Sequence, residues 1–212
     1  MARTRIGIIG AGNMGAAFAA RLAAAGHHVS ITAQHHERAE RAATAAGANA
    51  RAVRPEEIAR DADLLILATP YPAAVEALRA AGNVRGKTVV DITNPLTPDL
   101  SGLSVGHTSS AAEEIQKAVP DARVVKAFNT IFAQVLGSGP ATGSKAQVLY
   151  AGDDNGAKQA VRALIQSAGF EAVDAGPLAN ARYLEPLGML TIYLGYVAGR
   201  GTGIAPAWVA VA

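Results

Sequence analysis

The nine residues 7–15, GIIGAGNMG, constrain this chain more than any other stretch. Four glycines directly follow a short apolar run and precede an Ala-rich segment, MGAAFAARLAAAG. Glycine loses the most chain entropy on folding and packs nothing, so a cluster of it marks a place where backbone must approach something closely. Gly10, Gly12 and Gly15 fit the spacing G-x-G-x-x-G between a strand and a helix. In that setting the first glycine makes the tight turn, the second admits a pyrophosphate, and the third lets the helix pack on the strand. Asn13 and Met14 sit in the same turn. The free N–H groups and positive dipole end of the helix then face the phosphates. A tight turn with no ligand is the other reading.

The rest of the chain alternates in the same way. The runs RIGIIG (5–10), HVSIT (28–32), DLLILAT (63–69), KTVVDIT (87–93), RVVKAF (123–128), QVLYAG (147–152) and EAVDAG (171–176) read as strands. Between them lie helical segments: one stopping at Gly26, one at Gly47, one opening at Pro55 with two acids, and one capped by serine before Pro120. Alternation with crossover helices predicts a parallel sheet covered on both faces. The expected fold is α/β: a Rossmann-type doubly wound, mostly parallel sheet with a short C-terminal α/β extension. Residues 1–136 are expected to form the dinucleotide-binding domain and 145–212 a small region that closes the site and dimerises, with GSGPATGSK (137–145) as a hinge. The loop 94–109, rich in Pro, Gly and Ser, is expected to be functional or mobile. The apolar stretch 187–199 reads as a buried helix followed by a last strand, or as a dimer face in which Gly188, Gly195 and Gly199 let backbones approach.

Composition removes several classes. The net charge is only +2 and no Lys/Arg run reaches three, which argues against nucleic acid. The chain has no cysteine, so disulfides and thiolate chemistry are excluded. No metal site is expected: His35 and His36 are adjacent, and neighbours on a helix do not share a face. A spanning helix needs about 20 apolar residues, more than any run here supplies, and the apolar run near the N-terminus is too short for a signal peptide. A cytoplasmic protein without membrane contact is expected.

An NAD-specific unit carries an acid at the end of its second strand for the ribose hydroxyl. Here Thr32, Ala33 and Gln34 stand there, and His35, His36 and Arg38 follow. Thr32 can bind a phosphate and the basic groups can offset its charge, so NADP is favoured over NAD. Beyond the ends of later strands come Thr69, Pro70 and Tyr71, then Asn94, then Asn129, Thr130 and Ile131. These can hydrogen-bond an amide and wall a flat ring such as nicotinamide. No His–Asp or Ser–His pair is placed for acid–base or acyl chemistry, so no side chain is assigned a catalytic role. Hydride transfer between two bound rings needs orientation more than an acid. Lys126, inside a strand just upstream of Asn129, reads as half of a sheet-end ion pair in preference to a charge behind the site, and Asp91 is similarly placed mid-strand.

IGIIGAGNMGAAFAARLAAAGH alone resembles many NAD(P) enzymes. DITNPL, TSSAAEEIQKAVPDARVVKAFNTIFAQVL, AGDD and DAGPLANARYLEPL together resemble the NADPH-dependent reductases of the deazaflavin coenzyme F420, over residues of about 5 to 200. The resemblance implies a hydride passing directly between nicotinamide and a deazaflavin or flavin stacked on it. It places Gly10, Gly12, Asn13 and Met14 around the pyrophosphate, Thr69, Pro70 and Tyr71 along the cofactor, and Asn129, Thr130 and Ile131 at the nicotinamide. Leu187 and Gly188 would lie toward the second ring. The chain departs from the family pattern at Ala33 and Gln34 (Ser-Arg in typical members), Asn129 (histidine) and Phe132 (proline). A NADPH-dependent reductase of a small imine or carbonyl, with Tyr71, Lys126, His107 or Tyr183 as proton donor, is the second reading. A non-catalytic NADP sensor is the third. A homodimer is expected.

Overall fold

A computed structural model describes residues 3–139 and 146–209. Most of the hinge expected at 137–145 lies outside them. Eight strands form one sheet: β1 (Arg5–Ile9), β2 (His28–Thr32), β3 (Ala50–Ala52), β4 (Leu64–Leu67), β5 (Thr88–Asp91), β6 (Arg123–Ala127), β7 (Gln147–Gly152) and β8 (Glu171–Asp174). Their spatial order is β3-β2-β1-β4-β5-β6-β7-β8. Neighbours are parallel throughout, except for the antiparallel pair β6–β7. The order reverses between β1 and β4, the place where open α/β sheets leave a crevice beyond their carboxyl ends.

Seven α-helices cover the two faces: α1 (Asn13–Ala24), α2 (His36–Ala46), α3 (Tyr71–Ala80), α4 (Ala111–Ala118), α5 (Ala133–Ser138), α6 (Asn155–Ser167) and α7 (Ala181–Ile192). Alternate strand residues feed the two cores. Ile6, Ile8, Leu64, Ile66, Val90 and Val125 join Phe18 and Leu22 of α1 on one face. Ile9, Leu65, Leu67, Val89 and Val124 join Leu78 of α3 and Ile115 of α4 on the other. Strands buried on both sides show up as unbroken apolar runs, which is why LLIL and VV were legible.

The structure differs from the sequence expectations in four places. Arg51, between two alanines, carries no β-branched signal, yet Ala50–Ala52 pairs with β2 as an edge strand. PEEIARDA is a single 3-10 turn, Pro55–Glu57, closed by Arg54 and Glu57, rather than an α-helix. Eight residues are too few to sustain an isolated helix without a packed stripe. Residues 187–199 are helical to Val197, but Leu190, Tyr193, Tyr196 and Val197 are exposed rather than buried. No strand follows α7 among the described residues. Trp208 is instead tied to the side-chain amide of Gln147, whose Nε2 donates to Trp208 O at 3.0 Å and whose Oε1 accepts from Trp208 N at 2.6 Å. Positive φ at Gly199 and Gly201 turns the chain away before any ladder could start.

The reversal at β7 decides where the C-terminal helix goes. Val125, in the middle of β6, pairs with Gly152 at the end of β7. β7 and β8 therefore run back toward the amino end of the central strands, and α7 returns toward their carboxyl ends.

Candidate functional site

The glycine loop has the geometry its spacing predicts. A Cβ on Gly10, whose φ is +112°, would lie 2.4 Å from Ala68 O. One on Gly15 would lie 1.9 Å from Gly10 O, so α1 rests directly on the turn. A Cβ on Gly12 would meet no atom of the described residues within 4 Å beyond its own turn, leaving that side open to a ligand. Among the described residues no side chain caps the first turn of α1.

Two clefts flank this loop at the carboxyl ends of the strands. The first, of about 580 Å³, lies over β1, β2 and β4 and includes Gly10, Thr32, Gln34, His35, Arg38, Thr69 and Pro70 in its lining. Thr32 and Thr69 each bury a hydroxyl that has no partner among the described residues. His36 lies in a shallow basic groove that adjoins this cleft through Gln34, His35 and Arg38 and also takes in Arg41. His36 itself pairs with Glu40 at 3.5 Å.

The second cleft, of about 260 Å³, lies over β5 and β6 on the other side of α1's first turn. It brings together Asn13, Met14, Asn94, Asn129, Thr130, Ile131 and Gly188. Asn94 Nδ2 donates to Asn129 O at 2.8 Å, and Asn129 Nδ2 donates to Asn94 Oδ1 at 3.0 Å and to Leu184 O at 2.7 Å. Those bonds leave Asn129 Oδ1 buried and unpartnered among the described residues. A Cβ on Gly188 would lie 2.5 Å from Asn94 Oδ1, so only glycine lets α7 sit this close. Phe132 and Tyr196 line the cleft edge-to-face, with ring centroids 5.5 Å apart.

Phe128, just before Asn129, holds φ at +60°. That region is strained for a bulky residue, at about 1–3 kcal/mol. Packing against Phe18 at 5.0 Å and Phe170 at 6.2 Å keeps it there. The sharp turn it makes swings Asn129 and Thr130 over the end of β6.

Gly12, Gly15, Tyr71 and Leu187 line neither cleft. Tyr71 packs partly into the core beside α3, where burial and nearby carboxylates push its hydroxyl pKa up, so it stays protonated. The sequence reading missed Pro55, Ala73 and Glu76 in the first cleft and Thr191, Ile192 and Tyr196 in the second. It also missed Glu185, a lone acid in an apolar helix that is 1% exposed. Lys126 does form an ion pair, and the structure supplies its partner, Asp91 at 2.8 Å, but the pair is sealed in the interior and joined by Glu185. A third groove, of about 430 Å³, opens at the amino end of β1 and β2, and two of its charges, Arg51 and Asp61, pair with each other. Among the described residues no His, Asp or Glu cluster could hold a metal ion.

The family described as NADP oxidoreductase, coenzyme F420-dependent, matches residues 5–95. The F420-dependent NADP reductase of Methanothermobacter marburgensis is 31% identical over 202 residues, covering 87% of this chain and 89% of that protein. The chain belongs to this family. Among family-type structures, a proposed F420-dependent NADP reductase from Arthrobacter sp. superposes with a TM-score of 0.81 at 31% identity, covering 94% of this chain and 96% of that one. Rat metalloreductase STEAP3 is also 31% identical over 183 residues. This match covers 86% of the chain but only 36% of that relative, so the chain spans about a third of its length. A reductive aminase from Aspergillus terreus, solved with NADPH and ethyl-5-oxohexanoate, shares the fold with a TM-score of 0.68 at 23% identity.

Proposed function

We propose that the chain is an NADP(H)-dependent oxidoreductase that exchanges hydride with a flat ring, a deazaflavin such as coenzyme F420 or a flavin. The observation that carries the reading is the pair of clefts that flank the open glycine turn. Their placement on either side of that turn suits a dinucleotide with its adenosine over β2, its pyrophosphate at Gly12 and its nicotinamide over β6. When bound, NADPH supplies the hydride. The residues of the chain then bind and orient. Gly10, Gly12, Asn13 and Met14 hold the pyrophosphate. Thr32, Gln34, His35, His36 and Arg38 face the 2′-phosphate, and Thr69 and Pro70 lie along the ribose. Asn94, Asn129, Thr130 and Ile131 orient the nicotinamide, the unpartnered Asn129 Oδ1 offering an acceptor to the carboxamide N–H. Gly188 lies toward the acceptor, with Leu187 behind it on α7 outside the cleft.

The small-substrate reading loses its proton donors. Lys126 is sealed by two carboxylates and a carbonyl. Tyr183 is 73% exposed on the outside of α7, and His107 lies in an exposed loop. Tyr71 lines neither cleft. As for the sensor reading, Phe132 stands in the wall of the second cleft, which remains open beside it.

Tyr183, Leu190, Tyr193, Val197 and Trp208 of the C-terminal region are all exposed, an apolar surface that supports a homodimer. Among the described residues no helix is long and apolar enough to cross a membrane. A cytoplasmic location and a division into 1–136 and 145–212 complete the proposal.

Anaerobic absorbance spectroscopy tests the reading. NADPH, and separately NADH, is mixed with the protein and with oxidised coenzyme F420, FMN or FAD. Rapid loss of the deazaflavin or flavin band with NADPH supports it. Binding of NADPH with no oxidation by any of the three overturns it.

A further inference from the structure

Asp91, Lys126 and Glu185 form a closed ion cluster for which hydride transfer has no use. Lys126 Nζ donates to Asp91 Oδ2 at 2.8 Å and to Thr93 O at 2.5 Å, and it forms an ion pair with Glu185 Oε1 at 2.8 Å. None of the three side chains is more than 1% exposed. Glu185 also accepts from the first N–H groups of α4, Ala111 N at 2.9 Å and Ala112 N at 3.2 Å.

The three residues stand in a fixed relation to the second cleft. Asp91 precedes Asn94 by three positions at the end of β5. Lys126 precedes Asn129 by three at the end of β6, and Glu185 precedes Gly188 by three on α7. On a helix that spacing puts Glu185 and Gly188 on one face. Asn94, Asn129 and Gly188 touch one another just as the ions below them do. The cluster and the cleft are therefore two storeys of one junction among β5, β6 and α7.

Stability alone does not call for ions here, because buried ion pairs replaced by apolar residues of similar volume are often no less stable. Ions supply direction. Apolar packing lets a helix slide or roll, whereas donors and acceptors at fixed angles set its height and rotation.

We propose that Asp91, Lys126 and Glu185 are positioning residues. They latch α7 at the height where Gly188 meets Asn94 and Asn129, and so shape the cleft for the nicotinamide ring. This rests on the reading of that cleft as the nicotinamide site. The latch itself acts in the protein without coenzyme.

The test uses the full chain and Glu185→Gln, which keeps shape and removes charge. Hydrogen exchange is followed without ligand, and the affinities for NADPH and for 2′,5′-ADP, which reaches only the first cleft, are measured. The expected result is exchange about tenfold faster or more at Leu187 to Met189 and at 129–132, with the segment 10–18 unchanged. NADPH affinity falls about tenfold or more while that for 2′,5′-ADP holds. Arg182→Ala, which removes the pair with Glu113 between α7 and α4, is the control and leaves both readouts near wild type.

Unchanged exchange in α7, equal loosening by Arg182→Ala, or parallel loss of both ligands would overturn the latch. If wild type binds 2′,5′-ADP and NADPH equally, the nicotinamide reading fails, while the exchange arm still decides the latch. If Glu185→Gln does not fold, wild-type exchange decides. Leu187 to Met189 must open together with β6, and opening with the Tyr193–Val197 turn sinks the idea.

Discussion

The N-termini of α1 and α4 are the same physical device put to opposite use. Both point at the carboxyl end of the sheet, and both offer free N–H groups and a positive dipole end. At α4 the chain fills the device itself. Ser110 Oγ accepts from Glu113 N at 3.2 Å, and the carboxylate of Glu185 takes Ala111 N and Ala112 N. At α1 no side chain among the described residues caps the turn, and Gly12 keeps its approach clear. One anion site is occupied by a built-in carboxylate and becomes architecture. The other is left for an anion that can come and go.

The sharpest way to break this contrast is Lys126→Met. It strands Asp91 and Glu185 without their cation, and removing one partner of a buried pair costs about 3–5 kcal/mol. Urea unfolding should show that loss, with the glycine loop untouched. Gly15→Ala comes next. Its Cβ would strike Gly10 O, a backbone atom that cannot swing aside, so a loss of about 3 kcal/mol is expected by the same measurement.

Gly12→Ala sharpens the comparison, since it meets no protein atom. Stability should change by about 0.5 kcal/mol or less, while NADPH affinity measured by calorimetry falls about tenfold or more. Arg38→Ala should narrow the preference for NADPH over NADH by about tenfold, an effect that shrinks with added salt. The smallest effect belongs to Ser110→Ala. It removes one cap from an end that Glu185 still holds, at about 1 kcal/mol in thermal unfolding.

The parts of the molecule that were legible beforehand are those whose cause is local. β2 and β7 were read with their observed limits because β2 alternates Val29 and Ile31 with polar residues while β7 is buried along its whole length. The glycine turn was legible because its φ values and close contacts leave only glycine at Gly10 and Gly15. Ser110 was legible as a cap because its oxygen needs only the residues just after it. What stayed hidden depends on distant partners. Nothing in ARYLEPLG says that Glu185 meets Lys126, because that contact depends on β7 running backward. Phe128 looks like an ordinary strand residue, and its left-handed turn is enforced by Phe18 and Phe170 from elsewhere in the chain. The edge strand Ala50–Ala52 is paired by β2 and not by its own propensity.

The backward run of β7 also fixes an order of completion. The first cleft is built from residues up to Ala80, and all of it exists once the first half of the chain has been made. The second cleft lacks a wall until α7 has risen along the sheet and brought Gly188, Thr191 and Ile192 to Asn129. During synthesis the residues that line the first cleft therefore leave the ribosome well before the last of those that line the second.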